Sequence, residues 1–382
     1  MNISKFVMPE IIFGKDSLQQ TGECCLRLGA KKVLIVSDPG VMEAGWVDKV
    51  TAICDASRLP YEIFCEITAN PKDYEITRGV EMYQTSECDA IIGIGGGSAI
   101  DAAKAIAILA TNGGTIHDYE GVDKIEVPLP PLLMIPTTAG SGSEVSQFSV
   151  IVDSKRQVKM TIVSKSLVPD IAITDPYTLV TKDQELTAET GMDVLTHAIE
   201  AFVSTAATPL TDVQAKNAMM LVAKYLRPST ASRTNEEAKT AMAMASLQAG
   251  LAFSNAILGA VHAMSHAVGG YLDMPHGKLN AILLPYVMEY NFLAAPDRFM
   301  QIAELMGQNI TGMTSAEAGK LAVHHVKQLA MDIGSPQRLS DIGLKEEHIK
   351  RMSEAASQDV CIITNPRDAT VKDLEAIFHR AL

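Results

Sequence analysis

No apolar run in the 382-residue chain reaches the roughly 18 to 20 residues that a membrane-spanning helix needs, so no membrane partner is expected. The start, MNISKFVMPE, has neither the apolar core of a secretory signal nor the Arg-rich character of a transit peptide, and a cytoplasmic protein is expected. Cysteine is sparse and unpatterned. Cys24, Cys25, Cys54, Cys65, Cys88 and Cys361 form no C-x-x-C pair, which excludes a zinc or cluster framework and fits reduced thiols. Positive charge is also short, with 32 Lys and Arg against 45 Asp and Glu. The resulting net charge of -13 repels nucleic acid and anionic membranes at long range, so neither is expected as a partner. There is no internal repeat, low-complexity tract or charge block. G-x-G-x-x-G is missing, which excludes an ordinary Rossmann fingerprint, and no H-E-x-x-H marks a zinc hydrolase.

What is present is a chain that is 47% hydrophobic and long enough for two domains of ordinary size. Up to about residue 180, short β-branched runs alternate with amphipathic stretches. Lys31–Asp38, Asp89–Ile94 and Leu132–Pro136 read as buried strands, and Val47–Ser57 and Asp73–Ser86 as helices. This alternation predicts an α/β domain over 1–180 with a parallel sheet covered on both faces. Beyond Asp175-Pro176 strands nearly vanish. Leu210–Leu226, Glu236–Val268 and Ala316–Ile333 are Ala- and Met-rich with helical period, so 181–382 is expected to be all-α. The 19 methionines read as core filler on helix faces rather than as a partner groove.

In the first half, Ile94-Gly95-Gly96-Gly97-Ser98-Ala99-Ile100-Asp101 joins a strand to a helix running through Ala110. Three glycines let the backbone approach a bulky anion, and the helix N-terminus offers N–H groups and partial positive charge. The same residues suit a tight turn in which Ser98 caps the helix and Asp101 reaches back as a capping box. Both readings stay open on sequence. Asp38, closing the strand Val33–Ser37, suits a ribose 2′-hydroxyl and would repel a 2′-phosphate, so it favours NAD over NADP. As a residue before the turn Pro39-Gly40 it also has a plain local role. Thr137, Thr138 and Ser141 supply hydroxyls and flexible backbone after the next strand.

In the second half, Asp193 and His197 are four apart on an apolar-periodic stretch and leave one helix face. His262 and His266 repeat the spacing, and His276 follows at a turn marked by Pro275 and Gly277. One carboxylate and three imidazoles suit iron(II) or zinc, and a lone negative charge would leave the centre a net cation with Lewis acidity. Five candidates exceed the four ligands of a tetrahedral site. The spacing does not say which one is surplus.

GGGSAIDAAKAIA, PTTAGSGSEVSQF, GMDVLTHAIEAFVS and HAMSHAVGGYLDMPHG, in this order, resemble the iron-containing (group III) alcohol dehydrogenases, a family that includes lactaldehyde reductases and 1,3-propanediol dehydrogenases. The likeness runs from the first strand to Asn365-Pro366-Arg367. It implies an α/β NAD-binding domain followed by a helical metal- and substrate-binding domain, the architecture shared with dehydroquinate synthase. It implies Asp193, His197, His262 and His276 as metal ligands, with iron(II) in most members and zinc in others. His266 is then a non-ligand neighbour, a candidate proton relay or a residue that orients a ligand. Asp38, Asn70, Pro71, Gly95, Gly96, Gly97, Ser98, Asp101, Thr137, Thr138, Lys159 and Leu179 match positions around the dinucleotide. Phe148, Phe253 and Cys361 match pocket walls. Phe148 stands where lactaldehyde reductases have a polar residue, which leans toward a less polar aldehyde or alcohol. A homodimer or larger homo-oligomer is expected, with the apolar strand Lys5–Phe13 a candidate for pairing across an interface.

The activity so implied is hydride transfer between a primary alcohol or diol and NAD, with a metal lowering the pKa of the hydroxyl. Glycerol dehydrogenase and dehydroquinate synthase share the architecture. The synthase needs Lys and Arg near its metal for a phosphate-bearing substrate, and 193–203 and 253–276 contain none. A metal-dependent hydrolase would have no use for the glycine turn with Asp38.

Overall fold

The computed structural model describes residues 5–382. Val7–Thr181 form one compact unit, and Lys182–Leu382 together with Lys5 and Phe6 form the other. In the first, the strands are β1 (Glu10–Phe13), β2 (Val33–Val36), β3 (Tyr61–Phe64), β4 (Ala90–Gly95), β5 (Gly121–Val122), β6 (Leu132–Pro136), β7 (Phe148–Asp153), β8 (Val158–Val163) and β9 (Ile171–Thr174). Its helices are α1 (Thr21–Arg27), α2 (Pro39–Glu43), α3 (Trp46–Ala56), α4 (Asp73–Thr85) and α5 (Gly97–Asn112).

Six strands form a sheet in the order β1-β9-β6-β4-β2-β3, every neighbour parallel. Alternation along β2 shows why both faces are covered. Val33 and Ile35 pack with Trp46, Val47 and Val50 of α3, whereas Leu34 and Val36 join Ile76 of α4 and Ile100 and Ile106 of α5. A strand buried on both faces reads as a continuous apolar run, as VLIV does. Burying each of these side chains contributes about 1.5–3 kcal/mol.

Two expectations are corrected in this unit. The N-terminal strand is shorter than Lys5–Phe13: Glu10–Phe13 pair in register with Ile171–Thr174 of β9 and form one edge of the sheet. The second sheet, β5-β8-β7, adds an antiparallel hairpin pairing Phe148 with Val163 and Asp153 with Val158. Sequence periodicity had signalled only the parallel sheet.

The second unit is helical among the described residues: α6 (Gln184–Val203), α7 (Pro209–Ala231), α8 (Glu236–Ala256), α9 (Ala260–Leu272), α10 (His276–Asn291), α11 (Pro296–Leu305), α12 (Ser315–Asp332), α13 (Ile349–Ala356) and α14 (Val371–Ala381). Asp183 caps α6 by accepting from the Leu186 N–H at 2.7 Å, a contact worth about 0.5–2 kcal/mol.

Glu236–Val268, read as one periodic segment, is two helices meeting at 101°. Ile257 has φ of 63°, and a Cβ on Gly259 would lie 2.8 Å from Glu200 Oε1 and 2.9 Å from Asn365 Oδ1. The break is held from outside. Asn365 Oδ1 accepts from the Ala260 N–H at 3.1 Å, and Thr364 Oγ1 donates to the Leu258 carbonyl at 2.7 Å. Among the described residues no single helix is long and apolar enough to cross a membrane.

Candidate functional site

In the N-terminal unit the candidate residues gather at the carboxyl ends of parallel strands. From β2 the chain runs outward to β3, then crosses to β4, β6 and β9 on the other side, so the order reverses between β2 and β4. Open α/β sheets bind ligands in the crevice at such a point. Asp38 follows β2, and Gly95–Gly97 end β4 and begin α5. Asp38 Oδ1 accepts from the Val41 N–H at 3.0 Å and caps α2, while Oδ2 would lie 3.1 Å from a Cβ on Gly95. The turn has no room for side chains. Gly95 has φ of 155°, its Cβ would meet Ala99 Cβ at 2.6 Å, and a Cβ on Gly97 would meet Ser141 Cβ at 2.8 Å.

The expected capping box is absent from this turn. Gly96 is the N-cap of α5 and supplies no side-chain oxygen, so the first-turn N–H groups have no side-chain cap. Ser98 Oγ instead accepts from the Asn70 N–H at 3.3 Å, and Asp101 turns inward, its Oδ2 accepting from the Val150 N–H at 3.1 Å. The Thr137 N–H donates to the Gly95 carbonyl at 2.8 Å, and Thr137 Oγ1 is buried without a hydrogen-bond partner among the described residues. Thr138 lies 3.5 Å from the position of a Gly96 Cβ. The Pro71 carbonyl accepts from the Val152 N–H at 2.8 Å, and Lys159 stands opposite Val152 on β8, where its charge acts on Asp101. Leu179 is buried in the 3₁₀ turn Pro176–Thr181 after β9.

One residue here escaped sequence reading. Lys104 is fully buried, and its Nζ donates to the carbonyls of Ser146 and Phe148 at 2.6 and 3.0 Å and to Ser146 Oγ at 3.2 Å. It ties α5 to the loop that carries Thr137 and Thr138 and to Phe148, which is buried at the head of β7. Burial pushes Lys104 down to about 8, Asp101 up to about 6 and Glu144 up to about 7, since each loses water around its charge. A lysine three residues after Asp101 in an otherwise apolar helix was the available signal.

In the C-terminal unit, Asp193 and His197 lie one turn apart on α6, His262 and His266 one turn apart on α9, and His276 opens α10. The start of α10 presses on α6, where a Cβ on Gly277 would come 2.3 Å from the Glu189 carbonyl. Ligand atoms of Asp193, His262 and His276 all lie within 4.8 Å of one another. Asp193 Oδ1 is 3.9 Å from His197 Nε2 and 3.8 Å from His262 Nε2. Donors about 2.0–2.2 Å from one tetrahedral ion stand roughly 3.3–3.6 Å apart, so a small contraction would let this set hold a divalent metal. His197 stacks between Phe253 at 4.4 Å and His262 at 4.6 Å, centroid to centroid, and its Nδ1 is buried without a hydrogen-bond partner among the described residues. Burial, with His197 alongside, holds His262 well below the usual imidazole range, leaving it neutral as a ligand must be.

A further carboxyl stands behind His262. Glu200, 3% exposed, places Oε2 2.5 Å from His262 Nδ1 and accepts the Val261 N–H on Oε1 at 2.7 Å. Burial pushes its carboxyl up to about 7 against the pull of the Val261 and Gly259 N–H groups. Glu200 was legible in GMDVLTHAIEAF, because 193, 197 and 200 share one helix face. Asn280, also missed, donates to Asp193 Oδ1 at 2.7 Å and accepts from Ser265 Oγ at 2.5 Å. His266 belongs to a separate group with Asp359 and Cys361. Its Nδ1 is 2.8 Å from Asp359 Oδ2, and its ring stacks on His276 with centroids 5.1 Å apart. Burial pushes Asp359 up, but His266 and the Cys361 N–H outweigh it and hold the carboxyl at about 2. Burial keeps the Cys361 thiol well above its ordinary value and protonated.

Comparison with known proteins identifies the family. Residues 9–176 match the family described as iron-containing alcohol dehydrogenase, and 187–382 match the C-terminal domain of the Fe-containing alcohol dehydrogenase family. The chain is 42% identical over 379 residues to the 1,3-propanediol dehydrogenase of Klebsiella pneumoniae, covering 98% of each. It is 41% identical over 377 residues to the NAD-dependent methanol dehydrogenase of Bacillus methanolicus, covering 99% of each. A crystal structure of a 1,3-propanediol oxidoreductase superposes with a TM-score of 0.97 at 42% identity, covering 100% of both chains. The chain therefore belongs to the iron-containing alcohol dehydrogenase family.

Proposed function

We propose that this protein is a metal-dependent, NAD-linked alcohol dehydrogenase that interconverts a small primary alcohol or diol and its aldehyde. The observation that carries the reading is the convergence of the Asp193, His262 and His276 ligand atoms within 4.8 Å. Residues 1–180 serve as the NAD-binding domain and 181–382 as the metal- and substrate-binding domain. Relatives named for 1,3-propanediol and methanol support short alcohols as the substrate class.

Asp193, His197, His262 and His276 hold the metal in this reading, iron(II) first and zinc second. A divalent ion there supplies Lewis acidity that lowers the pKa of an alcohol hydroxyl, and NAD supplies the hydride acceptor. Asp193 contributes the ligand charge, and the three imidazoles bind neutral. His266, anchored through Nδ1 on Asp359, accepts the hydroxyl proton and passes it on. Phe253, stacked on His197, and Cys361, beside His266, wall the pocket.

For NAD, the turn Gly95, Gly96 and Gly97 with the first turn of α5 takes the pyrophosphate, and Asp38 takes the ribose hydroxyls. Asn70, Pro71, Ser98, Thr137 and Thr138 shape the approach. Asp101, Lys159 and Leu179 complete the set, with Asp101 acting from the interior. The enzyme works in the cytoplasm as a homo-oligomer.

The test is absorbance of the nicotinamide on mixing anaerobically purified protein with ethanol, propanol, 1,3-propanediol or butanal, alongside its metal content. Turnover that follows iron or zinc occupancy is expected. Absence of nicotinamide reduction with every alcohol and of oxidation with every aldehyde would sink the reading.

A further inference from the structure

Hydrogen-bonding groups of Gly259, Val261 and His262 converge on one buried carboxyl. Glu200 Oε2 meets His262 Nδ1 at 2.5 Å, Oε1 accepts the Val261 N–H at 2.7 Å, and the Gly259 backbone adds a third hydrogen bond. The carboxylate fits only because residue 259 has no side chain, since a Cβ there would lie 2.8 Å from Oε1. On the far side of the ring Asn280 Nδ2 lies 3.2 Å from His262 Nε2, and because an amide NH₂ donates and does not accept, Nε2 is the acceptor and the imidazole carries its proton on Nδ1, facing Glu200. That leaves the lone pair on Nε2, the nitrogen 3.8 Å from Asp193 Oδ1.

We infer that Glu200 is the positioning residue of the metal centre: it fixes the tautomer and ring orientation of His262 from behind the ligand set. This rests on the reading of Asp193, His197, His262 and His276 as metal ligands. Charge placed behind an imidazole raises its basicity, which strengthens its hold on the metal. A network in which Glu200 also closes the α8–α9 break couples the helix junction to the ligand it orients.

The isosteric variant Glu200→Gln discriminates charge and acceptor count from mere volume. An amide offers one acceptor where the site needs two, so either the Val261 N–H or His262 loses its partner. An amide NH₂ facing Nδ1 would drive the proton to Nε2, the ligand atom itself. Zinc affinity of metal-stripped wild type, E200Q and E200A, measured by chelator competition at pH 9, is therefore expected to fall roughly 10- to 100-fold in both variants. Long-range proton–nitrogen NMR of metal-free, histidine-labelled wild type at pH 9 is expected to show His262 with its proton on Nδ1.

Wild type with the proton on Nε2 overturns the inference, and this spectrum decides it even if neither variant folds. Zinc affinities within about threefold of wild type in both folded variants also overturn it, while wild-type binding itself upholds the ligand set. Failure of wild type to bind zinc removes the ligand reading and this inference together.

Discussion

His266 and Asp359, 93 residues apart in sequence, are joined by a 2.8 Å contact between Nδ1 and Oδ2. A carboxylate at Nδ1 holds the imidazole in one orientation, which suits a group that passes a proton on. His266→Ala is expected to keep its metal and lose roughly 10²- to 10⁴-fold in kcat, with a changed pH profile. Asp359→Asn is expected to lower kcat as well, since the ring loses the oxygen that anchors Nδ1. Steady-state rates from pH 6 to 10 with metal content measured on the same samples check both. An unchanged rate and profile in His266→Ala would remove the relay.

Asp38 performs two tasks that one substitution separates. Its Oδ1 caps α2 through Val41, and its Oδ2 lies beside the glycine turn. Glycine is a tolerable N-cap, so Asp38→Gly costs only about a few tenths of a kcal/mol in capping relative to other small residues. Removing the carboxylate removes the repulsion of a 2′-phosphate. The ratio of kcat/KM for NADP over NAD is expected to rise at least roughly tenfold. Equal ratios in variant and wild type would show that Asp38 does not set cofactor choice.

Much of this was legible because it is local. The strand VLIV, the glycine turn and the i,i+4 pairs Asp193/His197 and His262/His266 all sit within short windows where periodicity and ligand chemistry speak directly. The sheet's order reversal between β2 and β4 turned Asp38 and Gly95–Gly97 into neighbours, which the strand pattern implied without stating. What escaped the sequence depends on distance or on backbone strain. Asp359 meets His266 from a remote turn, Lys104 is explained only by the carbonyls that surround it, and the α8–α9 break falls at Ile257, a β-branched residue with positive φ that no propensity favours. Glu200 is the instructive exception. It shares a face with Asp193 and His197, but a glutamate on an apolar helix attracts no notice until its partner is known.

Stripping the metal tests the ligand set independently of turnover. Anything that binds the folded state alone stabilises it by mass action, by about 4 kcal/mol at a thousandfold excess over Kd. A chelator is therefore expected to lower the Tm, and iron(II) or zinc to restore it. His276→Ala is expected to flatten this response, because it removes one of the three ligands already within 4.8 Å. Calorimetric scans with and without chelator measure it. A Tm in wild type that ignores both chelator and metal would count against the centre.

Glu144 gives the N-terminal unit a pH dependence of defined sign. Burial raises its carboxyl from the ordinary 4.5 to about 7, so the folded state holds a proton that the unfolded chain has already released. Stability is therefore lost as pH rises from 4.5 toward 7, by about 3 kcal/mol in all, and is level above that range. Asp101 acts with the same sign between 3.8 and about 6. Lys104 acts elsewhere: its ammonium is lowered from 10.5 to about 8, so stability is lost as pH falls through that higher window. His262, lowered by burial, opposes the carboxyls, since its unfolded form takes up protons first as pH falls. The difference between wild type and Glu144→Gln cancels Asp101 and His262, and because Lys104, which Glu144 influences, titrates at higher pH, the range below pH 8 isolates the one carboxyl. Urea unfolding of both proteins from pH 4.5 to 8 is expected to give a ΔΔG that grows in favour of the variant up to about pH 7 and then holds constant. A difference independent of pH would mean that Glu144 stays ionised in the fold, held by Lys104, and that its burial carries no titration.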